Sequence, residues 1–107
     1  MKRPSSLVRR GWSRGTYTRD KAGTPVHYLS KEAVAFSLAG AILTAKVPMN
    51  FWEAVRSRIA QIDGSSRTSD LWNDAPGRTQ AEGVALLKSV EALPKFAGLW
   101  EDERRSP

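Results

Sequence analysis

The feature that most constrains this chain is the apolar run from Ala33 to Val47, fifteen residues interrupted by Ser37, Gly40, Thr44 and Lys46. It is too short and too polar to span a bilayer, which takes about 20 apolar residues, so it reads as a buried core helix. On a helical register Val34, Leu38 and Ile42 fall on one line, Phe36, Leu43 and Val47 on another, and Ala33, Ser37 and Ala41 on a third line of small side chains. A helix apolar on most sides belongs at the centre of a fold. Ser30 is the expected N-cap, with Glu32 near the positive end of the dipole, Lys31 to Lys46 as the helical span and Pro48 as its stop. Gly40 costs roughly 1 kcal/mol against alanine inside a helix, and close approach of another backbone is the expected reason for it.

Two further helices are expected to cover this one. Asn50 and Glu53 have capping-box spacing with Met49 as a hydrophobic staple, and Phe51, Val55, Ile59 and Ile62 form one buried stripe that ends at Asp63-Gly64. Residues 65–69 read as a polar loop. Thr79 and Glu82 open the next helix, whose core face is Leu86, Leu87, Val90 and Leu93 with Val84 adjoining, and Pro94 closes it. Phe96, Leu99 and Trp100 then cover one end of the core. Before the central helix, Thr16–Arg19 and Val26–Tyr28 are β-prone segments joined by Asp20-Lys21-Ala22-Gly23, which suggests a short hairpin with Pro25 at its edge. The fold class is therefore mainly α, a three-helix core with a short N-terminal β-hairpin and a basic N-terminal arm. The expected organisation is a flexible basic arm over residues 1–10, one helical domain with its hairpin over 11–100, and a charged, frayed tail over 101–107.

The charge is unevenly placed. Of the formal net charge of +6, all lies in the first thirty residues, where seven basic side chains face Asp20 alone; the rest carries ten basic and ten acidic residues. A local basic segment points to an anionic partner more directly than diffuse charge does. Arg9, Arg10, Arg14 and Arg19 are the candidate contacts, and Trp12 among them could stack on unpaired bases. The alternative is that the arginines solvate a chain end while Trp12 and Tyr17 pack on the domain.

Catalytic chemistry has little to work with. The chain has no cysteine, which excludes disulfides, thiolate metal sites and cysteine nucleophiles, and His27 is its one histidine. The most distinctive polar cluster is Asp70-Leu71-Trp72-Asn73-Asp74, two carboxylates and an amide within five residues. It lacks the glycine and closing glutamate of a calcium loop, so a turn bonded to its own backbone and anchored by Trp72 is the stronger reading. His27, Asp70, Asn73 and Asp74 are kept as a candidate polar site, and no metal or cofactor is expected. Gly11-Trp12-Ser13-Arg14-Gly15 fails as a phosphate loop, since no strand leads into it and no helix opens after it. The N-terminal segment lacks the apolar stretch of a secretory signal, so a cytoplasmic, non-membrane protein is the expectation.

Trp12-Ser13-Arg14-Gly15 with Asp20 and Gly23, Ala33 through Ala41 with its Gly40-Ala41 pair, and Trp72-Asn73-Asp74 together resemble a family of small bacterial and phage domains of unknown function. The resemblance spans roughly Gly11 to Leu93. It implies a helical domain with a small hairpin in which Trp12, Gly15 and Trp72-Asn73-Asp74 pack around one site, and a phage or mobile-element origin. Cysteine is frequent in that family where this chain has Ser13 and Ser37, so the resemblance implies no thiol-dependent role here. The leading functional reading is a non-enzymatic binding or accessory protein that contacts nucleic acid or an acidic protein surface, or a nucleoprotein complex, through its basic N-terminal region. The alternatives are a small enzyme or ligand-binding domain using His27 with Asp70, Asn73 and Asp74, and a structural subunit of an assembly, marked by Trp52 and Trp100 exposed on one surface.

Overall fold

The computed structural model describes residues 1–64 and 68–100. In chain order it has α1 (Pro4–Arg10), β1 (Thr18–Arg19), β2 (Ala35–Phe36), α2 (Leu38–Ala45), α3 (Met49–Asp63), α4 (Ser69–Asn73) and α5 (Gln80–Glu91), then a 3₁₀ turn at Pro94–Phe96. It is mainly helical with a small antiparallel two-strand pairing, the class expected from the sequence. Most of the loop expected at 65–69 and all of the tail at 101–107 lie outside the described residues.

The core forms where the three longer helices meet. Leu38, Ala41 and Ile42 of α2, Phe51, Val55 and Ile59 of α3, and Leu86, Leu87 and Val90 of α5 are all buried in one cluster. Each large aliphatic or aromatic side chain so buried contributes about 1.5–3 kcal/mol. Phe96 and Trp100 close one end, their rings 5.1 and 5.9 Å from that of Phe51. Trp100 is buried and Trp52 half-buried, so the two do not form an exposed pair. Among the described residues no helix is long and apolar enough to cross a membrane.

The first ten residues depart from expectation. The stretch expected as a free basic arm folds as α1, with Pro4 in its first turn, where the missing amide hydrogen is no loss. Leu7 and Val8 are buried, and α1 packs on α5 and α2. Its amino end is pinned by Glu91, a carboxylate only 1% exposed that accepts from the Ser5 amide at 2.8 Å and the Ser5 hydroxyl at 2.7 Å. Arg3 stands 3.6 Å from the same carboxylate, and the Glu91 carbonyl accepts from the Trp100 indole at 3.0 Å. One buried acid thus joins the chain's start, α5 and the tail segment.

The central helix is shorter than its apolar run. Ala35 and Phe36 are strand, and Ser37, not Ser30, is the N-cap, its hydroxyl accepting from the Gly40 amide. Ser30 instead stabilises a local turn through the Glu32 amide. The reason is tertiary: β2 pairs antiparallel with β1, Thr18 opposite Phe36 and Arg19 opposite Ala35, and this holds those residues extended. The expected second strand at 26–28 is reduced to a bridge at Pro25 and a bond from the Val26 amide to the Thr18 carbonyl, so β1's partner comes from farther along the chain. Val34 is consequently exposed. Gly40 has the expected role: a Cβ there would lie 2.8 Å from the Tyr17 carbonyl carbon and nearer still to its oxygen.

The remaining helices follow their caps unevenly. The Thr79–Glu82 capping box forms as expected, and Gly64 ends α3 in the left-handed conformation. No side chain caps α3, which starts at Met49 after an extended Pro48, so the Asn50–Glu53 box and Met49 staple do not form. Asp70–Asn73, expected in a turn, belongs to α4, capped by Thr68. Ile62 and Leu93, expected in the core, are 53% and 37% exposed, Ile62 in the last turn of α3 and Leu93 in extended backbone beyond the end of α5.

Two tests follow from these contacts. Gly40→Ala should cost at least about 1–3 kcal/mol, the range of an overpacked core, measured by urea denaturation. Burial raises the Glu91 carboxyl above its usual 4.5, and this outweighs the lowering by the Ser5 hydrogen bonds and Arg3. The folded chain therefore holds this proton more tightly than the unfolded chain. The linked stability is full below 4.5 and is lost as pH rises through the raised value. Denaturation midpoints across that window should fall in wild type and flatten in Glu91→Gln.

Candidate functional site

The loop between α1 and β1, the amino end of α2 and the end of α4 converge on one side chain. Asn73 is 1% exposed and uses its whole amide. Its oxygen accepts from the Trp12 indole at 2.9 Å and the Leu38 amide at 3.2 Å. Its nitrogen donates to the Ser13 carbonyl at 3.0 Å and to an Asp74 carboxylate oxygen at 2.9 Å. An asparagine amide has two donor hydrogens and two acceptor lone pairs, so this one is fully satisfied.

Asp74 extends the network. The carboxylate oxygen that meets Asn73 also accepts from the Gly15 amide at 3.1 Å, and Arg14 donates to the Asp74 and Ala75 carbonyls at 2.8 and 2.9 Å. Gly15 has φ +80°, a conformation side chains resist, which turns its amide onto Asp74. The Arg14 guanidinium lies 5.5 Å from the Trp12 ring centroid, and Arg19 donates to the Arg14 carbonyl at 2.8 Å and the Gly23 carbonyl at 3.0 Å. Trp12 and Gly15 therefore do pack with Asn73 and Asp74 around one locus.

Beside this lock is a small cleft of about 110 Å³, lined by Gly15, Thr16, Tyr17, Ser37, Asp70 and Asp74. Burial, then the Asp74 charge, pushes the Asp70 carboxyl above the usual carboxylate range. Of the candidate polar residues, Asp70 and Asp74 line the cleft and Asn73 lies behind it. His27 does not line it: its Nδ1 accepts from the Leu29 amide at 3.1 Å and its ring stacks on Tyr28 at 4.6 Å. Among the described residues no group of three or more His, Asp or Glu side chains could hold a metal ion.

The chain belongs to DUF6197, a family of unknown function. Its family model matches residues 5–93, which includes α1 from Ser5 onward, the Asn73 network and all of α5. No curated protein and no solved structure matches the chain.

Among the basic candidates the structure makes a division. Arg14 and Arg19 bond carbonyls within the fold, as does Trp12 through Asn73. Arg9 and Arg10 are exposed in the last turn of α1, and among the described residues neither guanidinium has a hydrogen-bond or ion-pair partner; outside the helix, the Arg9 carbonyl accepts from Gln80. Sequence reasoning missed Thr16, Tyr17 and Ser37 as cleft residues, because a β-prone run and an apolar run do not announce that their ends meet. It also missed Glu91, although a carboxylate four residues after Leu87 on a core face was a signal.

Asn73→Ala would strand the Trp12 indole and the Leu38 amide. At about 1–3 kcal/mol for each buried group left unpaired, a loss of about 3 kcal/mol is expected in thermal or urea denaturation. Asn73→Asp, the same in shape, should also destabilise and should do so more as pH rises, since its new carboxyl would ionise beside Asp74.

Proposed function

We propose that this protein is a non-catalytic binding or accessory protein that contacts nucleic acid or an acidic protein surface through the exposed arginines at the end of α1. The observation that carries the reading is that, among the described residues, the Arg9 and Arg10 guanidinium groups have no internal partner while Arg14 and Arg19 are held by carbonyls. The two free guanidinium groups stand on a short rigid helix, which lowers the ordering cost of a contact relative to a mobile arm. Lys88 adds a further exposed cation across a shallow hollow from Arg9. Trp12 is half-buried, with its indole N–H bonded to Asn73 and the Arg14 guanidinium beside its ring, which favours phosphate or carboxylate contact by the arginines over base stacking on Trp12. A cytoplasmic setting, with a phage or mobile-element protein acting on a host complex, fits this reading.

Fluorescence anisotropy with labelled single- and double-stranded DNA at low salt tests the nucleic-acid form. Two neutralised phosphates give a log-log salt slope of about −1.8 on duplex DNA, and Arg9→Glu with Arg10→Glu should abolish binding. Affinity purification with and without nuclease tests the protein form: a partner that survives nuclease and is lost with the same double variant supports it. Retention of neither class of partner removes the proposal.

A second reading, a small ligand-binding or catalytic cleft, is favoured by the raised Asp70 carboxyl facing Asp74. His27 takes no part in it, and the cleft admits only a very small molecule. Asp70→Asn removes a charge that Asp74 opposes, so it should hold or raise stability near neutral pH in urea denaturation, and it should leave partner binding unchanged unless this cleft is used.

A further inference from the structure

A groove runs between α3 and α5, on a different face from the cleft. It is formed by two adjoining hollows of about 300 and 240 Å³ that share Arg58 and Ser89 as walls. Ile62 lines one and Leu93 the other. Ile62 continues the apolar stripe of α3 three residues past its last buried residue, Ile59, and Leu93 stands two residues beyond the end of α5. The last turn of α3 and the segment that follows α5 thus present leftover apolar positions to one groove.

The floor also holds an unspent donor. Trp72, which lines the Ile62 hollow, is buried, and its indole nitrogen has no hydrogen-bond partner. The Arg78 guanidinium covers the ring at 3.7 Å, and Arg78 lies 3.8 Å from Glu82. Glu82 also accepts from the Thr79 amide and is the one carboxylate lining either hollow. Arg58 bonds Ser89 at 3.2 Å and Gln61 at 2.9 Å, and Lys95 lies over the Phe96 ring. Among the described residues neither Arg58 nor Lys95 is paired with a carboxylate.

We propose that the groove between α3 and α5 is the docking site for an acidic amphipathic helix of a partner protein, its apolar face seated on Ile62 and Leu93 and its carboxylates on Arg58 and Lys95. Both walls are helices whose backbone bonds are internally satisfied, so the groove offers no strand edge for an extended peptide. An apolar floor between two helices accepts the apolar stripe of a third, with anchors at spacings of three and four residues. The unpaired cations on the walls select acidic flanks and disfavour basic ones. This surface is separate from Arg9 and Arg10, and its test is independent of theirs.

The probe is a labelled helical peptide of about 15 residues with leucines at i, i+3, i+4 and i+7 and glutamates on both flanks. Its twin carries lysines in place of the glutamates. Wild type should bind the acidic peptide in anisotropy titrations, with amide NMR shifts at Ile62 and Leu93. Arg58→Glu with Lys95→Glu should weaken that binding at least about tenfold and favour the lysine twin. Because Arg58 also bonds Ser89 and Gln61, Ile62→Ser, an exposed change, serves as a second variant and should weaken binding without a fall in the melting temperature. Equal binding of both peptides, no shift at Ile62 and Leu93 at about 1 mM peptide, or indifference to these variants overturns the proposal. A concentration-dependent dimer in sedimentation that Ile62→Ser abolishes also overturns it, by assigning the groove to a second copy of the chain.

Discussion

The amide of Asn73 is the interaction on which the arrangement depends. Three separate segments, the loop at Trp12-Ser13, the first turn of α2 and the end of α4 at Asn73-Asp74, are tied through one side chain that water hardly reaches. In such surroundings each hydrogen bond is strong and each unmade one costly, so the network behaves as a unit. It places the α1–β1 loop against α4, and the loop in turn bonds β2 through the Phe36 backbone. Ser37 can then cap α2 while Asn73 serves the Leu38 amide, so two of the amino-terminal donors of the most buried helix are satisfied by side chains.

Glu91 does a similar task at the other end of the molecule. It lends a carboxylate to the start of a seven-residue helix that has no cap of its own and could not persist alone. The contrast between the two is chemical. The Asn73 side chain is neutral and fully paired and has no proton to gain or lose, whereas Glu91 is an acid held against desolvation and makes the docking of α1 depend on its proton. Since α1 carries Arg9 and Arg10, the presentation of the free cations rests on that buried acid.

These two locks divide the basic residues by role. The first thirty residues hold the whole net charge, yet only part of it is available to a partner. Arg14 and Arg19 shape a loop, while Arg9 and Arg10 end a helix and face solvent. Arg14 and Arg19, two of the four contacts expected from the sequence, are the pair with donors bonded inside the fold.

What the sequence determined by itself was local or periodic. The helical class, the Thr79–Glu82 box, the stop at Gly64, the stripe Phe51–Val55–Ile59 and the close packing at Gly40 each depend on neighbours within about a turn or on a regular repeat. The grouping of Trp12 and Gly15 with Trp72-Asn73-Asp74 came from resemblance to related sequences. Tertiary structure decided the rest, because it turned on pairings between distant segments. Ala35–Phe36 has the same apolar pattern as the helix after it and became strand through its pairing with β1. Residues 4–10 looked like a solvated arm until Glu91, more than eighty residues away, supplied the missing cap. Ile62 and Leu93 have core spacing, but where a core ends is set by the lengths of the elements that meet there, and no periodicity records that.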